Sequence, residues 1–156
     1  MQWQEVCENK NLKNLPFKIE LNNQGKVLMT PVKVNHSILQ GKIIGHLYRN
    51  ITGGEALAEC AIKTKQGTKV ADVAWASYSL LEKIENEVEC SIAPEICIEV
   101  LSFSNSKQEI NEKKVIYFEQ GAIEFWVCDS FGNISFFVKE GRIEHSKIAK
   151  NFPINI

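Results

Sequence analysis

The segment Ile96-Cys97-Ile98-Glu99-Val100-Leu101 encloses one glutamate in an otherwise apolar run. A short, nearly continuous apolar run is typical of a strand that is covered on both faces. An amphipathic helix is predicted over residues 107–119, and Gly121 precedes a second apolar strand over residues 123–128. Because such strands need helices to cover them, the segment favours a sheet that lies between helices.

The remaining elements extend this arrangement in both directions along the chain. In chain order we predict a hairpin of residues 17–21 and 26–30, a helix with Asn35 as N-cap that stops before Gly53-Gly54, strands 55–63 and 69–76, a weaker helix 78–92, and a final hairpin of residues 134–139 and 142–147. The predicted fold class is therefore mixed α/β, with a central mixed sheet flanked by helices and a hairpin at each end of the chain.

Length and composition predict one globular domain over residues 1–156. The chain is 44% hydrophobic and 24% charged with a net charge of -1, which excludes a disordered chain and a protein that coats nucleic acid by charge alone. No apolar run reaches the ~18 residues of a membrane span, and the first residues lack the layout of a secretion signal. We therefore expect a soluble protein of the cytoplasm.

The five cysteines are odd in number and scattered through mostly apolar segments, without a CxxC pair. A zinc site or a disulfide framework is not expected from this pattern. Buried free thiols in a reducing compartment explain it better.

Two carboxylates occupy positions that disfavour them. Asp72 lies within the predicted strand 69–76, and it is one of only two aspartates in the chain. Glu99 lies in the middle of its apolar strand, where an ionised group needs a cation, a metal or several hydrogen-bond donors. Each carboxylate alone is explained by a lysine partner or by an edge strand that has one face exposed to solvent. The two together favour a shared metal site.

The predicted helix 107–119 carries Glu109, Lys113 and Tyr117 along one stripe, at i, i+4 and i+8. The stripe is explained either by a solvated Glu–Lys pair with a half-buried tyrosine, or by a lysine that reaches back over the strand end to the carboxylates. Its position soon after Glu99 favours the second interpretation.

Together these residues resemble a known pattern. The matching segments are Ala71-Asp72-Val73, Ala93 to Ser102, the stripe Glu109–Lys113–Tyr117, and Gly121 to Asp129. They are similar to the Uma-type putative restriction endonucleases of the PD-(D/E)XK nuclease superfamily. The resemblance is strongest over residues 70–129, and it implies the restriction-endonuclease-like fold.

The resemblance also implies a catalytic site. In it Asp72 and Glu99 coordinate Mg²⁺, or alternatively Mn²⁺, with help from the backbone carbonyl of Val100. The usual superfamily lysine position, two residues after the second acid, holds Leu101 here, and the Uma-type pattern supplies the lysine from the next helix as Lys113. Lys114 is the competitor, but its side chain points about 100° further round the helix.

Three further residues have two explanations each. His36 matches a position that often carries histidine in such proteins, and it is equally explained as an exposed residue at a helix end. Glu20 resembles an acid of the N-terminal hairpin, although the turn is longer here, so we do not assign it to the site. Asp129 is explained by the turn that follows its strand.

The resulting functional hypothesis is a metal-dependent endonuclease acting on DNA. Arginine is scarce, so phosphate contacts by lysines are better supported than base reading; the candidates are Lys63, Lys65, Lys69, Lys107, Lys113 and Lys114. Two cuts in a duplex favour a homodimer, in which the Phe136-Phe137-Val138 hairpin forms either an interface or core. The alternatives are an inactive nucleic-acid- or partner-binding module on the same fold, and a hydrolase of another phosphate ester.

Overall fold

The computed structural model describes every residue from Met1 to Ile156. The helices are α1 (Trp3–Glu8), α2 (Val34–Asn50), α3 (Tyr78–Ile84) and α4 (Lys107–Glu119), with a short 3-10 helix at Lys10–Leu12. The strands are β1 (Phe17–Leu21), β2 (Val27–Pro31), β3 (Gly54–Thr64), β4 (Gly67–Ser77), β5 (Ile96–Val100), β6 (Glu124–Cys128), β7 (Ile134–Val138) and β8 (Gly141–Ile143). None of the helices combines the length and the apolar character needed to cross a membrane.

Six strands form one open mixed sheet in the order β3-β4-β5-β6-β7-β8. Only β5 and β6 are parallel, and α4 connects them, as expected for a crossover between parallel strands. The other neighbouring pairs are antiparallel. The predicted fold class, a mixed sheet flanked by helices, is confirmed.

Each face of the sheet is covered by its own apolar core. On one face α2 contributes Leu39, Ile43 and Leu47, which pack with Val73 and Ile98 of the sheet. On the other face α3 and α4 contribute Ile84 and Tyr117, which pack with Ala74 and Cys97. Successive residues of β4 and β5 therefore alternate between the two cores, as the period of a strand requires. This double burial explains why the sequence of β5 is almost wholly apolar.

The β1–β2 hairpin packs beside the large sheet, against β4. The backbone N–H of Val70 donates to Glu20 Oε1 at 2.9 Å. Gly67, at the start of β4, lies directly under the end of β1: a Cβ built on it would be 2.3 Å from the carbonyl oxygen of Leu21. Gly67 also has a φ of +89°, so both its conformation and its close contact exclude a side chain.

Two predicted helix boundaries are wrong. Helix α2 begins at Val34 with Lys33 as its N-cap, because the side chain of Asn35 donates to the carbonyl oxygen of Ser130 instead. Helix α3 ends at Ile84 rather than at residue 92. The following segment turns alongside β3, where the backbone N–H of Cys90 donates to the carbonyl oxygen of Ala61 at 2.8 Å.

The last predicted strand is also shorter than expected, since β8 ends at Ile143 rather than at residue 147. The chain then wraps around the buried carboxylate of Glu124. That carboxylate accepts hydrogen bonds from Ser146 Oγ, from the backbone N–H of Lys147 and from the indole N–H of Trp126, each at 2.7 Å. A ladder cannot continue where its backbone N–H groups bind a carboxylate.

Four cysteines are buried as predicted, whereas Cys7 is exposed on α1. Phe136 is only 1% exposed within the core of its own chain. Of the two explanations for the Phe136-Phe137-Val138 segment, core therefore applies to Phe136.

Candidate active site

The site lies where β4 and β5 separate. Their antiparallel pairing ends at Val73 and Ile98, and Asp72 and Glu99 are the next residues on the two strands. Asp72 Oδ2 accepts a hydrogen bond from the backbone N–H of Val100 at 2.8 Å. The carboxylate thus satisfies a backbone donor that the separating strand leaves free.

A single cation contacts both carboxylates. The ammonium nitrogen of Lys18 lies 2.8 Å from Asp72 Oδ1 and 3.4 Å from Glu99 Oε2. Lys18 comes from β1, and all three side chains are almost completely buried. The two acids, 27 residues apart in the sequence numbering, therefore lie within reach of one positively charged atom.

Helix α4 supplies a second cation and a hydroxyl group. Lys113 Nζ lies 2.9 Å from Glu20 Oε1 and 3.3 Å from Glu99 Oε2. One turn later, Tyr117 Oη donates to Glu99 Oε1 at 2.9 Å. Two members of the predicted stripe thus reach the carboxylate. Lys114 does not, because its ammonium lies 4.5 Å from the centre of the Phe137 ring.

Helix α2 approaches Asp72 from the other side. His36 Nε2 lies 3.3 Å from Asp72 Oδ2, and His36 Nδ1 is 3.0 Å from Gln40 Oε1. Gln40 in turn donates from Nε2 to the backbone carbonyl of Asp72 at 2.8 Å. Of the two explanations for His36, the structure excludes a solvent-exposed helix end, since the imidazole contacts a buried carboxylate.

Glu109 lies at the edge of the site. Its carboxylate accepts a hydrogen bond from Asn105 Nδ2 at 3.2 Å and contacts neither buried acid. It lines a small cavity of about 30 Å³ together with Asp72, Glu99 and Lys113. Val100 belongs to the same cavity wall. Glu109 is therefore a residue of the rim, whereas Lys113 and Tyr117 lie inside.

The environments of the acids shift their pKa values in opposite directions. Burial raises the pKa of Asp72, but hydrogen bonding to His36 and the charge of Lys18 outweigh it and hold that pKa well below its ordinary value. For Glu99 burial dominates, and its pKa is raised despite Lys113 and Lys18. Opposite shifts in two adjacent carboxylates are typical of functional sites.

The basic groups respond to the acids around them. Burial lowers the pKa of Lys113, but the charge of Glu99 more than compensates, so the net shift is upward. The pKa of Lys18 is raised in the same way. The pKa of His36 is raised chiefly by its hydrogen bond to Asp72. The site is thus a cluster of buried charges of both signs.

The donor set suits a hard divalent ion. Asp72 and Glu99 offer carboxylate oxygens, which Mg²⁺ prefers, and Mg²⁺ commonly uses only one or two protein carboxylates and keeps several waters. No group of three or more histidine, cysteine, aspartate or glutamate side chains converges to hold a metal without water or substrate. The residues therefore fit an ion of this class, provided that the ion takes the position of the Lys18 ammonium between the two acids.

Two residues of the cluster were not assigned from the sequence. Lys18 is not among the predicted site residues, and Glu20 resembles an acid of the family's hairpin without being assigned to the site. The available signal was their i, i+2 spacing in a strand, which puts both charged side chains on one face. That pattern alone predicts a solvent-exposed face of the strand, because it does not show that the hairpin packs against β4.

The comparisons with known proteins identify the family. The family model described as "Putative restriction endonuclease" matches residues 3–147. Among solved structures, a protein described as a putative nuclease belonging to DUF820 from Anabaena variabilis superposes with a TM-score of 0.77 at 16% sequence identity, covering 99% of this chain and 94% of that chain. No curated protein matches. Because the family model spans nearly the whole sequence, this chain belongs to the Uma2 family of putative restriction endonucleases.

Proposed function

We propose that this protein is a divalent-metal-dependent endonuclease that hydrolyses phosphodiester bonds in DNA. The observation that carries the proposal is the convergence of Asp72 and Glu99 on one cation position, beside the ammonium of Lys113. Family membership and the nuclease description of the structural neighbour support the reaction class. Asp72 and Glu99, with the carbonyl of Val100, are the proposed ligands of Mg²⁺, with Mn²⁺ as an alternative.

Each residue of the cluster has a proposed role. When bound, Mg²⁺ lowers the pKa of a water and neutralises charge on the phosphate. Lys113 stays protonated between Glu20 and Glu99, and it stabilises the negative charge that develops on the phosphate oxygens. Tyr117 fixes Glu99 by donating its hydroxyl hydrogen.

On the other side of the cluster, His36 and Gln40 orient Asp72. Lys18 is the internal counter-ion of the two acids before an ion binds. Exposed lysines such as Lys63, Lys65 and Lys107 are the proposed phosphate contacts outside the site.

A cleavage assay tests the proposal. Supercoiled plasmid, linear duplex and single-stranded DNA are incubated with the protein in Mg²⁺, in Mn²⁺ and in chelator, and product is followed over time. We expect cleavage that requires the ion, and a loss of at least about 100-fold in Asp72→Asn, Glu99→Gln and Lys113→Met. Lys114→Met is the matched control. Because the Lys114 ammonium packs over the Phe137 ring, we no longer propose Lys114 as a phosphate contact, and its variant is expected to retain the wild-type rate. Full activity in Glu99→Gln, or in chelator, would contradict the assignment.

One observation favours a second candidate function, an inactive nucleic-acid-binding module. Lys18 contacts both acids and Lys113 also contacts Glu99, so each acid already has an ammonium partner in the folded protein without a metal. An inactive module binds DNA in chelator and cleaves no substrate with either ion. The same assay, supplemented by a gel-shift measurement, separates the two candidates.

A further inference from the structure

Beside the small acidic cavity lies a larger cleft of about 650 Å³. The two share Pro31, His36 and Ser102 as wall residues, so the cleft opens directly next to the proposed phosphodiester site. Its volume lies in the range of small-molecule pockets. None of the roles assigned above uses this cleft.

Two phenylalanines of the cleft point into solvent. Phe103 is 97% exposed and Phe131 is 82% exposed. They lie on the loops that follow β5 and β6, at the same end of the parallel pair. An isolated exposed apolar side chain needs no explanation, but two phenylalanines lining one cleft form a surface that contacts water only at a cost.

The loops that carry the phenylalanines are held by polar contacts. Asp129 Oδ1 accepts from the backbone N–H of Phe131 and from that of Asn133, each at 2.9 Å. Asn105 Oδ1 accepts from the backbone N–H of Ser102 at 2.9 Å, which closes the loop around Phe103. The side chains are thus presented by turns whose backbones are fixed.

The cleft also carries positive charge. The ammonium of Lys33 lies 4.7 Å from the centre of the Phe103 ring. Lys33 is the N-cap residue of α2, and no side chain caps the first turn there. A positive helix end and a lysine beside aromatic rings suit a ligand that combines a flat ring with a phosphate. The one acid of the cleft, Asp129, is engaged by its own turn.

We propose that Phe103 and Phe131 form a stacking platform for the bases of an unpaired DNA strand, and that Lys33 contacts the adjoining phosphate. This inference rests on the proposed nuclease function and specifies its substrate as single-stranded or locally unpaired DNA. Bases inside a duplex stack on each other and offer no free face, whereas unpaired bases stack on exposed aromatic side chains. The platform then leads the strand toward Asp72 and Glu99.

Binding measured without cleavage tests the platform. Fluorescence anisotropy with a labelled oligothymidylate is performed in chelator, in parallel with a labelled duplex and with RNA of the same length. We expect Phe103→Ala and Phe131→Ala each to raise the Kd for the single strand about tenfold, with less than a twofold effect on the duplex. Phe103→Leu and Phe131→Leu keep an apolar side chain but lose the π face, so they are expected to weaken binding as well.

Tyr78→Ala is the control for exposed aromatic surface. Tyr78 is 56% exposed, and its backbone N–H donates to the carbonyl oxygen of Gly53, just beyond the C-terminal end of α2. Helix α2 is about 25 Å long, and Lys33 lies at its other end. Its replacement is expected to leave the Kd unchanged. A fluorescent base, 2-aminopurine, placed in the strand should be quenched by the wild-type protein and not by the alanine variants.

Several outcomes would overturn the inference. These are single-strand binding that is equal in all variants, tighter binding of the duplex or of RNA than of single-stranded DNA, and a change of oligomeric state in the phenylalanine variants in place of a change in affinity. The readout does not depend on hydrolysis. Single-strand binding that does not depend on the phenylalanines, together with intact cleavage, therefore refutes this inference alone. Phenylalanine-dependent binding without any cleavage refutes only the nuclease function.

Discussion

Lys18 links the two acids of the site in the folded chain. Its ammonium lies within 3.4 Å of an oxygen of each, and it is about 10% exposed. Removing one member of a buried ionic cluster is strongly destabilising, because the remaining charges lose their compensation. The stability of the metal-free protein therefore depends on this side chain.

The Lys18→Met variant tests this dependence. In chelator we expect it to lose about 3 kcal/mol of unfolding free energy, measured by urea denaturation. Added Mg²⁺ should stabilise the variant more than it stabilises the wild type, because the ion then has no lysine to displace. Lys26→Met, at an exposed lysine of the same hairpin, is the control. An equal response of Lys18→Met and wild type to Mg²⁺ would contradict a shared ion position.

The sequence alone predicts the two acids of the site, but it does not predict their counter-ion Lys18. Asp72 and Glu99 stand out because a carboxylate inside an apolar strand conflicts with its neighbours, and that conflict is visible locally. Lys18 causes no such conflict in its own segment. Its contact with Asp72 spans 54 residues of sequence and exists only after the hairpin has packed on β4.

Among the elements, the β1–β2 hairpin decides whether Lys18 and Glu20 reach the site. It meets the β3–β4 turn at Gly67, where the chain leaves no space for a Cβ. Strands β4 and β5 supply the acids, and α4 supplies Lys113 and Tyr117. The site is thus assembled from one sheet and three elements that pack against it, the β1–β2 hairpin, α2 and α4.

The Gly67→Ala variant tests the packing of the hairpin. Gly53 is the matched control: it has a similar φ of +83°, but a Cβ there would meet nothing within 4 Å. Both alanine variants carry the backbone strain of a positive φ, about 1–2 kcal/mol. Only Gly67→Ala also pushes against Leu21, so we expect it to lose clearly more unfolding free energy and to weaken Mg²⁺ binding. Equal losses in the two variants would show that the close contact has no energetic role.

The elements predicted from the sequence are those with a strong local period. Strand β5 and helix α4 lie close to their predicted bounds. Burial on both faces makes the sequence of β5 continuously apolar, and burial of one stripe gives α4 its helical period. The helix expected over residues 78–92 fails after Ile84, since Cys90 bonds to the backbone of β3 instead. The strand expected to reach residue 147 fails because Glu124 binds backbone N–H groups of the last segment. Both errors come from long-range partners that no local pattern encodes.

For the whole molecule, the two apolar cores share the same central strands. Val73 and Ala74 are adjacent in β4, yet they belong to opposite cores. Neither core can therefore lose its packing without exposing the sheet that supports the other. That the whole chain, residues 1–156, forms one domain stays a prediction, which an unfolding experiment tests.

We expect a single cooperative unfolding transition. Two of the three tryptophans, Trp75 and Trp126, are buried in the core that contacts α2, so tryptophan fluorescence reports mainly on that core. Far-ultraviolet circular dichroism reports on all helices and strands. The two urea curves should coincide, as two-state unfolding requires. Two separated midpoints would show that the chain contains independently stable parts.

The central claim is that Asp72 and Glu99 hold one divalent ion between them. Isothermal titration calorimetry with Mg²⁺ and with Mn²⁺ measures this directly, without any substrate. We expect binding of about one ion per chain in the wild type, and loss of that binding in both Asp72→Asn and Glu99→Gln, whose folds are checked by circular dichroism. Unchanged binding in either variant, or no binding of either ion to the wild type, would contradict the claim.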